Sequence, residues 1–325
     1  MEKRTLGTTG INVSVLALGC WPMGGGYWGR ADDEQSIRTI HRALEAGINF
    51  FDTAPAYGNG HSEQVLGKGL AGRREEAILS TKVFAMPERI RPSLDDSLQR
   101  LGTDYADVCF VHWPHRGEPL SKTMEVLEGL RREGRIRAIG VSNFDVEMIE
   151  IASRHGTVDV LQPPYNLIWR FVEEDTLPYC QKHDIGIVTY SSLAQGLLTG
   201  TLRLNTPYRP DDQRPRSVLW LPENYGKCLY AVERLRPVAA ELGVSLAQLA
   251  LRWLVSQSGV TSVLIGARTP EEIGEDAGAV DWELPEETME TIQEISDEIY
   301  ISMPYYYDMW GNWRTWNKRG TQREN

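Results

Sequence analysis

The chain has 325 residues, with 34 basic and 45 acidic side chains giving a net charge of −11. A surface of that sign repels phosphate backbones and speaks against nucleic acid as the main partner. With 41% hydrophobic and 24% charged residues, the composition is that of a folded globular chain rather than a disordered or fibrous one.

Cys20, Cys109, Cys180 and Cys228 lie far apart, with no C-x-x-C pair and no zinc spacing. Reduced thiols in a cytoplasmic protein are the expectation, and no metal is predicted. The first residues open into a polar turn without an apolar signal core. No stretch approaches the roughly 20 apolar residues of a membrane helix, so no membrane partner is expected.

In chain order, Arg4 to Val15 reads as a hairpin turning at Thr8-Thr9-Gly10. Strand-like runs then alternate with helical spacing. Val15–Gly19 precedes a helix over Asp33–Ala46, Ile48–Asp52 one over Ser62–Leu70, and Ala77–Lys82 one over Pro92–Leu101. Ala106–His112, Ile136–Val141 and Val158–Gln162 precede helices near Ser121–Arg132, Val146–Arg154 and Glu174–His183. Ile185–Tyr190 and Thr261–Ile265 complete the series. Eight near-continuous apolar runs alternating with helices favour a closed α/β barrel of the TIM type, with an open doubly wound sheet as the alternative. No linker separates two domains, so residues 1–325 are expected to form one.

Polar residues stand at the carboxyl ends of these runs: Asp52, Lys82, His112, Ser142-Asn143, Gln162 and Tyr190. Any one of them has a plain reading as a capped turn or packing. Together, in a barrel, they open onto the one face where active sites form. Asp52 and Lys82 end neighbouring strands and are placed to pair. Tyr57, five residues past Asp52, can fold back over the strand ends. A phenol titrates near 10, so its use as an acid calls for a nearby cation such as Lys82. His112 is placed to donate to the same substrate oxygen.

At this point seven motifs resemble the aldo-keto reductase family. They are F-D-T-A-P-A-Y-G from Phe51, S-T-K-V from Ser80, V-H-W-P from Val111, G-V-S-N-F from Gly140, L-Q-P-P-Y-N from Leu161, Y-S-S-L-A-Q-G-L-L-T-G from Tyr190 and I-G-A-R-T-P-E-E from Ile265. They run in the family's order from about Gly7 to Asp281. The resemblance implies a (β/α)8 barrel that binds NADP(H) without a Rossmann domain and reduces aldehydes or ketones to alcohols. It places the catalytic tetrad on Asp52, Tyr57, Lys82 and His112. Tyr57 is then the proton donor, His112 positions the carbonyl, and Lys82 with Asp52 tunes Tyr57.

The same resemblance implies the cofactor contacts. Cys20, Trp21 and Asp52 are counted among them, Ser142, Asn143 and Gln162 hold the nicotinamide carboxamide, and Tyr190 stacks on its ring. Ser191, Leu193, Gln195, Gly196, Leu198, Thr199 and Gly200 form the pyrophosphate loop, and Arg214 matches a second arginine that some members use, with Arg268, at the 2′-phosphate. Gly266, Arg268, Glu272, Glu275 and Asp276 surround the adenosine end. Arg268 suits a 2′-phosphate through its guanidinium fork. Glu272 and Asp276 depart from the Gln and Asn of many relatives, and Thr201 replaces a common lysine. These changes leave room for NADH beside NADPH.

Trp21, Tyr27 and Trp28 follow the first barrel run, and Trp113 follows His112. Together with Tyr57 and His112 they are the candidate substrate residues. Rings with a polar handle suit a carbonyl, sugar-like or polyol-like small molecule; walling of the nicotinamide is the plain alternative. The aromatic tail from Met303, at residues 303–325, either folds over the pocket or forms a homo-oligomer interface. A cofactor-binding regulatory subunit of the same fold is the competing reading of function. The complete tetrad weighs against it.

Overall fold

A computed structural model of the chain describes residues 1–114, 119–303 and 308–310. Strands β1 (Lys3–Thr5) and β2 (Asn12–Ser14) pair antiparallel as the expected hairpin. Eight parallel strands then follow: β3 (Leu16–Gly19), β4 (Phe50–Asp52), β5 (Ile78–Val83), β6 (Ala106–Val111), β7 (Ile136–Ser142), β8 (Val160–Gln162), β9 (Gly186–Thr189) and β10 (Val260–Ile265). They close into a barrel in chain order, β10 pairing with β3. Helices α1 (Asp33–Glu45), α2 (His61–Gly69), α3 (Pro87–Leu101), α4 (Leu120–Arg132), α5 (Val146–Ser153) and α6 (Thr176–Lys182) form the crossovers between successive strands up to β9. Between β9 and β10 stand α7 (Pro222–Glu241) and α8 (Leu246–Val255). After the barrel come α9 (Pro270–Ala277) and α10 (Glu286–Ser302).

All eight expected barrel strands are present, and the closed barrel rather than the open sheet is the architecture. Two differences concern helices. The third begins at Pro87 rather than Pro92: Pro87 takes the first-turn position, where a missing N–H costs nothing, and Pro92 is carried inside the helix. Helices α7 to α10 lie outside the sequence reading. Gly226 and Pro237 interrupt the period of α7, and α8 is apolar nearly all round because both its faces are covered.

Two apolar layers hold the barrel. Ala17, Phe50, Val108, Phe110, Ala138, Val160 and Val188 pack inside it, together with Leu6, Ile11 and Val13 of the hairpin. The larger layer lies between strands and helices. The hairpin closes the amino-terminal end. Gly7 has a φ of +54°, and a Cβ there would fall 2.7 Å from the Asp159 carbonyl, so only glycine allows so close a seat. Arg4 donates to the carbonyls of Val255 and Val260 at 3.0 and 2.7 Å.

Candidate active site

The strand register assembles the polar ends. Asp52 of β4 pairs with Ser80 of β5, and Lys82, two residues on, points to the same side of the sheet. The Asp52 carboxylate accepts from Lys82 Nζ at 2.5 Å, Ser80 Oγ at 2.7 Å and Gln162 Nε2 at 3.1 Å. Lys82 also donates to the Thr53 carbonyl at 2.9 Å. Both charges are buried, at 2% and 0% exposure, which is tolerable only because each is paired and hydrogen-bonded. Burial works against the Lys82 charge, but Asp52 and Tyr57 outweigh it, so its pKa is raised and the ammonium persists.

Tyr57 lies over this pair, with Lys82 Nζ 4.9 Å from its ring centroid. A backbone contact fixes the loop that carries it. Gly58 has a φ of +60°, and a Cβ there would fall 2.0 Å from the Gly24 carbonyl oxygen. The loop after β3 is thereby pressed against the loop after β4, and Trp21 stacks on Tyr57 at 5.7 Å. The sequence reading had Lys82 making the phenol a stronger acid. Burial is instead the largest influence, and the phenol's pKa is raised overall; Lys82 lowers it and Asp52 raises it. The proton therefore stays on Tyr57 at neutral pH.

His112 stands edge-on to Tyr57 with ring centroids 5.8 Å apart. Burial first, and then the Lys82 charge, hold its pKa well below 6.5, so the imidazole is neutral. Its Nδ1 is buried with no hydrogen-bond partner among the described residues. Phe84 stacks on the other side of the ring at 5.9 Å, and Trp113 lies 6.4 Å away. Phe84 was not singled out from sequence. Its position, two residues beyond Lys82 on the same strand's exit, was the signal available.

A second network flanks the tetrad. Asn143, at a φ of +62°, donates to the His112 carbonyl and to Ser142 Oγ, both at 3.1 Å. Ser142 Oγ donates to the Gln162 carbonyl at 2.9 Å, and the Tyr190 phenol donates to Asn143 Oδ1 at 2.8 Å. Cys20 sits beneath: its side chain has no exposure, its carbonyl accepts from Ser62 Oγ, and burial pushes its thiol pKa up. Its thiol lies 3.7 Å from the Leu18 carbonyl, within the electrostatic reach of Asp52 and Lys82.

The loop after β9 has the backbone of an anion cradle. Ser191, Ala194, Gln195 and Gly196 all have positive φ, a backbone path whose N–H groups form anion-binding concavities. Both amide atoms of the buried Gln195 side chain are without a partner among the described residues. Thr199 Oγ1 donates to the Gly196 carbonyl at 2.8 Å, and Gly200, at a φ of +70°, ends the loop. Leu193 is half-buried, whereas Leu198 is part of the core. Arg214 reaches the loop: a Cβ on Gly196 would lie 3.9 Å from its Nη1, while Asp212 orients the guanidinium. Arg214 also lies 5.8 Å from the Trp28 ring. These residues fit the pyrophosphate of a dinucleotide.

At the adenosine end, Gly266 follows β10 directly, and Thr269 caps α9 by accepting from the Glu272 N–H. Glu272 accepts from Arg268 N at 2.7 Å and Arg268 Nη2 at 3.2 Å. The Glu275 carbonyl accepts from Gln248 at 2.9 Å. Asp276 is buried, and burial, then Glu275 and Glu272, push its carboxyl up to about 7. On the substrate side, Trp28 packs edge-on to Trp21 at 5.2 Å, and Tyr27 is exposed at the rim. Trp310 of the tail lies 6.0 Å from Trp21. Most of the tail's aromatic residues, including Trp313 and Trp316, fall outside the described residues.

The Aldo/keto reductase family model matches residues 15–297. The chain is 35% identical to the NADH-specific methylglyoxal reductase of Escherichia coli (strain K12), over 92% of this chain and 99% of that one. The solved glycerol dehydrogenase AKR11B4 from Gluconobacter oxydans superposes with a TM-score of 0.84 at 34% identity, covering 93% and 97% of the two chains. An aldo/keto reductase from Klebsiella pneumoniae, solved in complex with NADP and acetate, superposes at 0.76 with 29% identity over 91% and 96%. With a barrel of this topology and a family match spanning nearly all of it, the chain belongs to the aldo/keto reductase family and is an oxidoreductase.

Proposed function

We propose that the chain reduces a small polar aldehyde or ketone, of sugar-like or polyol-like character, to its alcohol with NADP(H), and that Tyr57 supplies the proton. The observation that carries the reading is the buried phenol held over the Lys82–Asp52 pair beside a neutral imidazole. The bound dinucleotide supplies the hydride. Gln195, Arg214 and the positive-φ loop would hold its pyrophosphate, Tyr190 its nicotinamide face, and Ser142, Asn143 and Gln162 its carboxamide. Arg268, Glu272, Glu275 and Asp276 are the candidates at the adenosine.

His112 hydrogen-bonds and orients the substrate carbonyl oxygen. Tyr57 holds its proton at that oxygen and releases it as negative charge develops there. Lys82, kept protonated by Asp52, stabilises the phenolate until the phenol is protonated again. The aromatic wall of Trp21, Trp28, Phe84 and Trp113 shields the reacting centre from water and offers C–H surface to a small polar compound. Support for that substrate class comes also from relatives named for methylglyoxal and glycerol.

The test is consumption of NADPH and of NADH over a carbonyl panel running from aromatic aldehydes to aldoses, small hydroxy-aldehydes and dicarbonyls. Faster turnover of the small polar members supports the reading. Preference for large apolar aldehydes overturns the substrate class, and tight cofactor binding without turnover of any carbonyl overturns the reductase role.

A further inference from the structure

Ser62, in the first turn of α2, is fully buried, yet its hydroxyl does not cap its own helix. It donates to the Cys20 carbonyl at 2.7 Å and lies 2.9 Å from Thr53 Oγ1. A hydroxyl has one proton and a carbonyl can only accept. The Ser62 proton therefore goes to Cys20, and Thr53 is the donor in the second bond. Ser62 N donates in turn to the Tyr57 carbonyl at 3.3 Å.

These bonds meet at the loop that carries Tyr57. Thr53 opens that loop after β4 and Ser62 lies just past its end, so the hydroxyl pair laces the two ends together. Thr53 is fastened to the floor of the site: its N–H donates to the Ser80 carbonyl at 3.0 Å, and its carbonyl accepts from Lys82 at 2.9 Å. On the other side, Cys20 directly precedes Trp21, the ring stacked on Tyr57. Ser62 thus ties down both backbones on which the stacked rings stand. Its neighbour Glu63 is equally buried but faces elsewhere. It accepts from Thr81 and Arg100, both at 2.6 Å, and joins the helix to β5 and α3. Lacing the loop and docking the helix are separate tasks of adjacent residues.

We propose that Ser62, through its bond with Thr53, is a positioning residue that holds the Tyr57 phenol in reach of both Lys82 and the substrate oxygen. Neither hydroxyl-bearing side chain has any exposure, so the pair acts through the loop rather than on the substrate. A reacting group displaced by about 1 Å can lose about 100-fold in rate, which makes such lacing matter to the chemistry. The inference rests on the reading above of Tyr57 as the proton donor.

The experiment measures kcat, KM and the NADPH Kd of Ser62→Ala, Thr53→Val and Thr53→Ser with the aldehyde of the panel that turns over fastest. Ser62→Ala and Thr53→Val should each lower kcat by about tenfold to 100-fold, with KM and Kd within about twofold of wild type. Thr53→Ser, which returns the hydroxyl, should recover most of that loss. In a Tyr57→Phe background there is no proton to place, and Ser62→Ala should change the residual rate by less than about twofold. The proposal is overturned by a wild-type kcat in Ser62→Ala, by a loss carried in KM or Kd, by equal losses in the two Thr53 variants, or by the full factor recurring on top of Tyr57→Phe. Should Ser62→Ala not fold, the two Thr53 variants decide in the same way. Undiminished turnover in Tyr57→Phe removes the proton donor itself. A slowed Tyr57→Phe beside an unchanged Ser62→Ala leaves the donor in place and overturns the role of Ser62 alone.

Discussion

The two ends of the cofactor cleft are built on different principles. At the tetrad, charges sit at the ends of barrel strands, nearly without solvent, and each is held by several partners on neighbouring strands. At the adenosine end, Arg268 is 60% exposed and is held by Glu272, four residues away on the first turn of α9. A strand end inside a closed barrel cannot shift without breaking its ladder, whereas an exposed helix terminus can exchange one partner for another. On the function proposed above, chemistry would be committed to the rigid part and cofactor choice to the adjustable part.

The contrast is sharpened most by removing one hydroxyl. Tyr57→Phe should reduce turnover by about 100-fold or more while leaving the NADPH Kd unchanged; turnover within a few-fold of wild type would remove Tyr57 as donor. Lys82→Met should break the floor itself. It leaves the Asp52 charge buried without its cation, a loss of about 3–5 kcal/mol in chemical denaturation. A stability near that of wild type would mean that Asp52 is neutralised some other way.

At the opposite end, Asp276 gives a pH signature. Its carboxyl is raised in the fold to about 7, so the folded state binds a proton that the unfolded chain has already released at pH 5 to 6. Stability attributable to this group is complete below the unfolded value, declines as pH rises and is lost above about 7. Asp276→Asn should therefore raise the Tm increasingly between pH 5 and pH 8. A difference that does not grow over this range would count against a buried protonated carboxyl. The smallest effect is expected from Glu272→Gln, which frees the exposed Arg268 fork: NADPH should bind roughly threefold to fivefold tighter, in line with an exposed ion pair of up to about 1 kcal/mol. NADH should gain nothing, and an unchanged ratio of the two dissociation constants would clear Glu272 of any part in the choice.

How far the sequence could be read follows from the same contrast. Parallel strands covered on both faces appear as unbroken apolar runs, so the point where Asp52, Lys82, His112 or Tyr190 ends a run is visible without a structure. The closed barrel followed from their number. Helix α7 escaped because Gly226 and Pro237 break its pattern, and α8 because it lacks a polar face; α9 and α10, which follow the last barrel strand, were not read although both are amphipathic. Phe84 beside His112 escaped for another reason, and for Trp310 over Trp21 the sequence left open whether the tail covers the pocket or an interface. Each contact depends on the path of a loop or tail that no local period encodes. The direction of the Tyr57 pKa could not be read either, since it depends on how completely loops exclude water from the phenol.

The hairpin at the closed end of the barrel has a consequence for how the molecule is made. Gly7 seats against the carbonyls of Asp159 and Asp184, and Arg4 binds those of Val255 and Val260. Residues synthesised first thus dock onto positions made 150 to 250 residues later. Such distant contacts form slowly because a long loop must close before they contribute. Leu6, Ile11 and Val13 therefore stay in contact with solvent while most of the polypeptide emerges, and plugging the barrel coincides with the arrival of β10. A nascent chain stopped before Val260 would carry that apolar hairpin unsheltered, the kind of surface on which chaperones act.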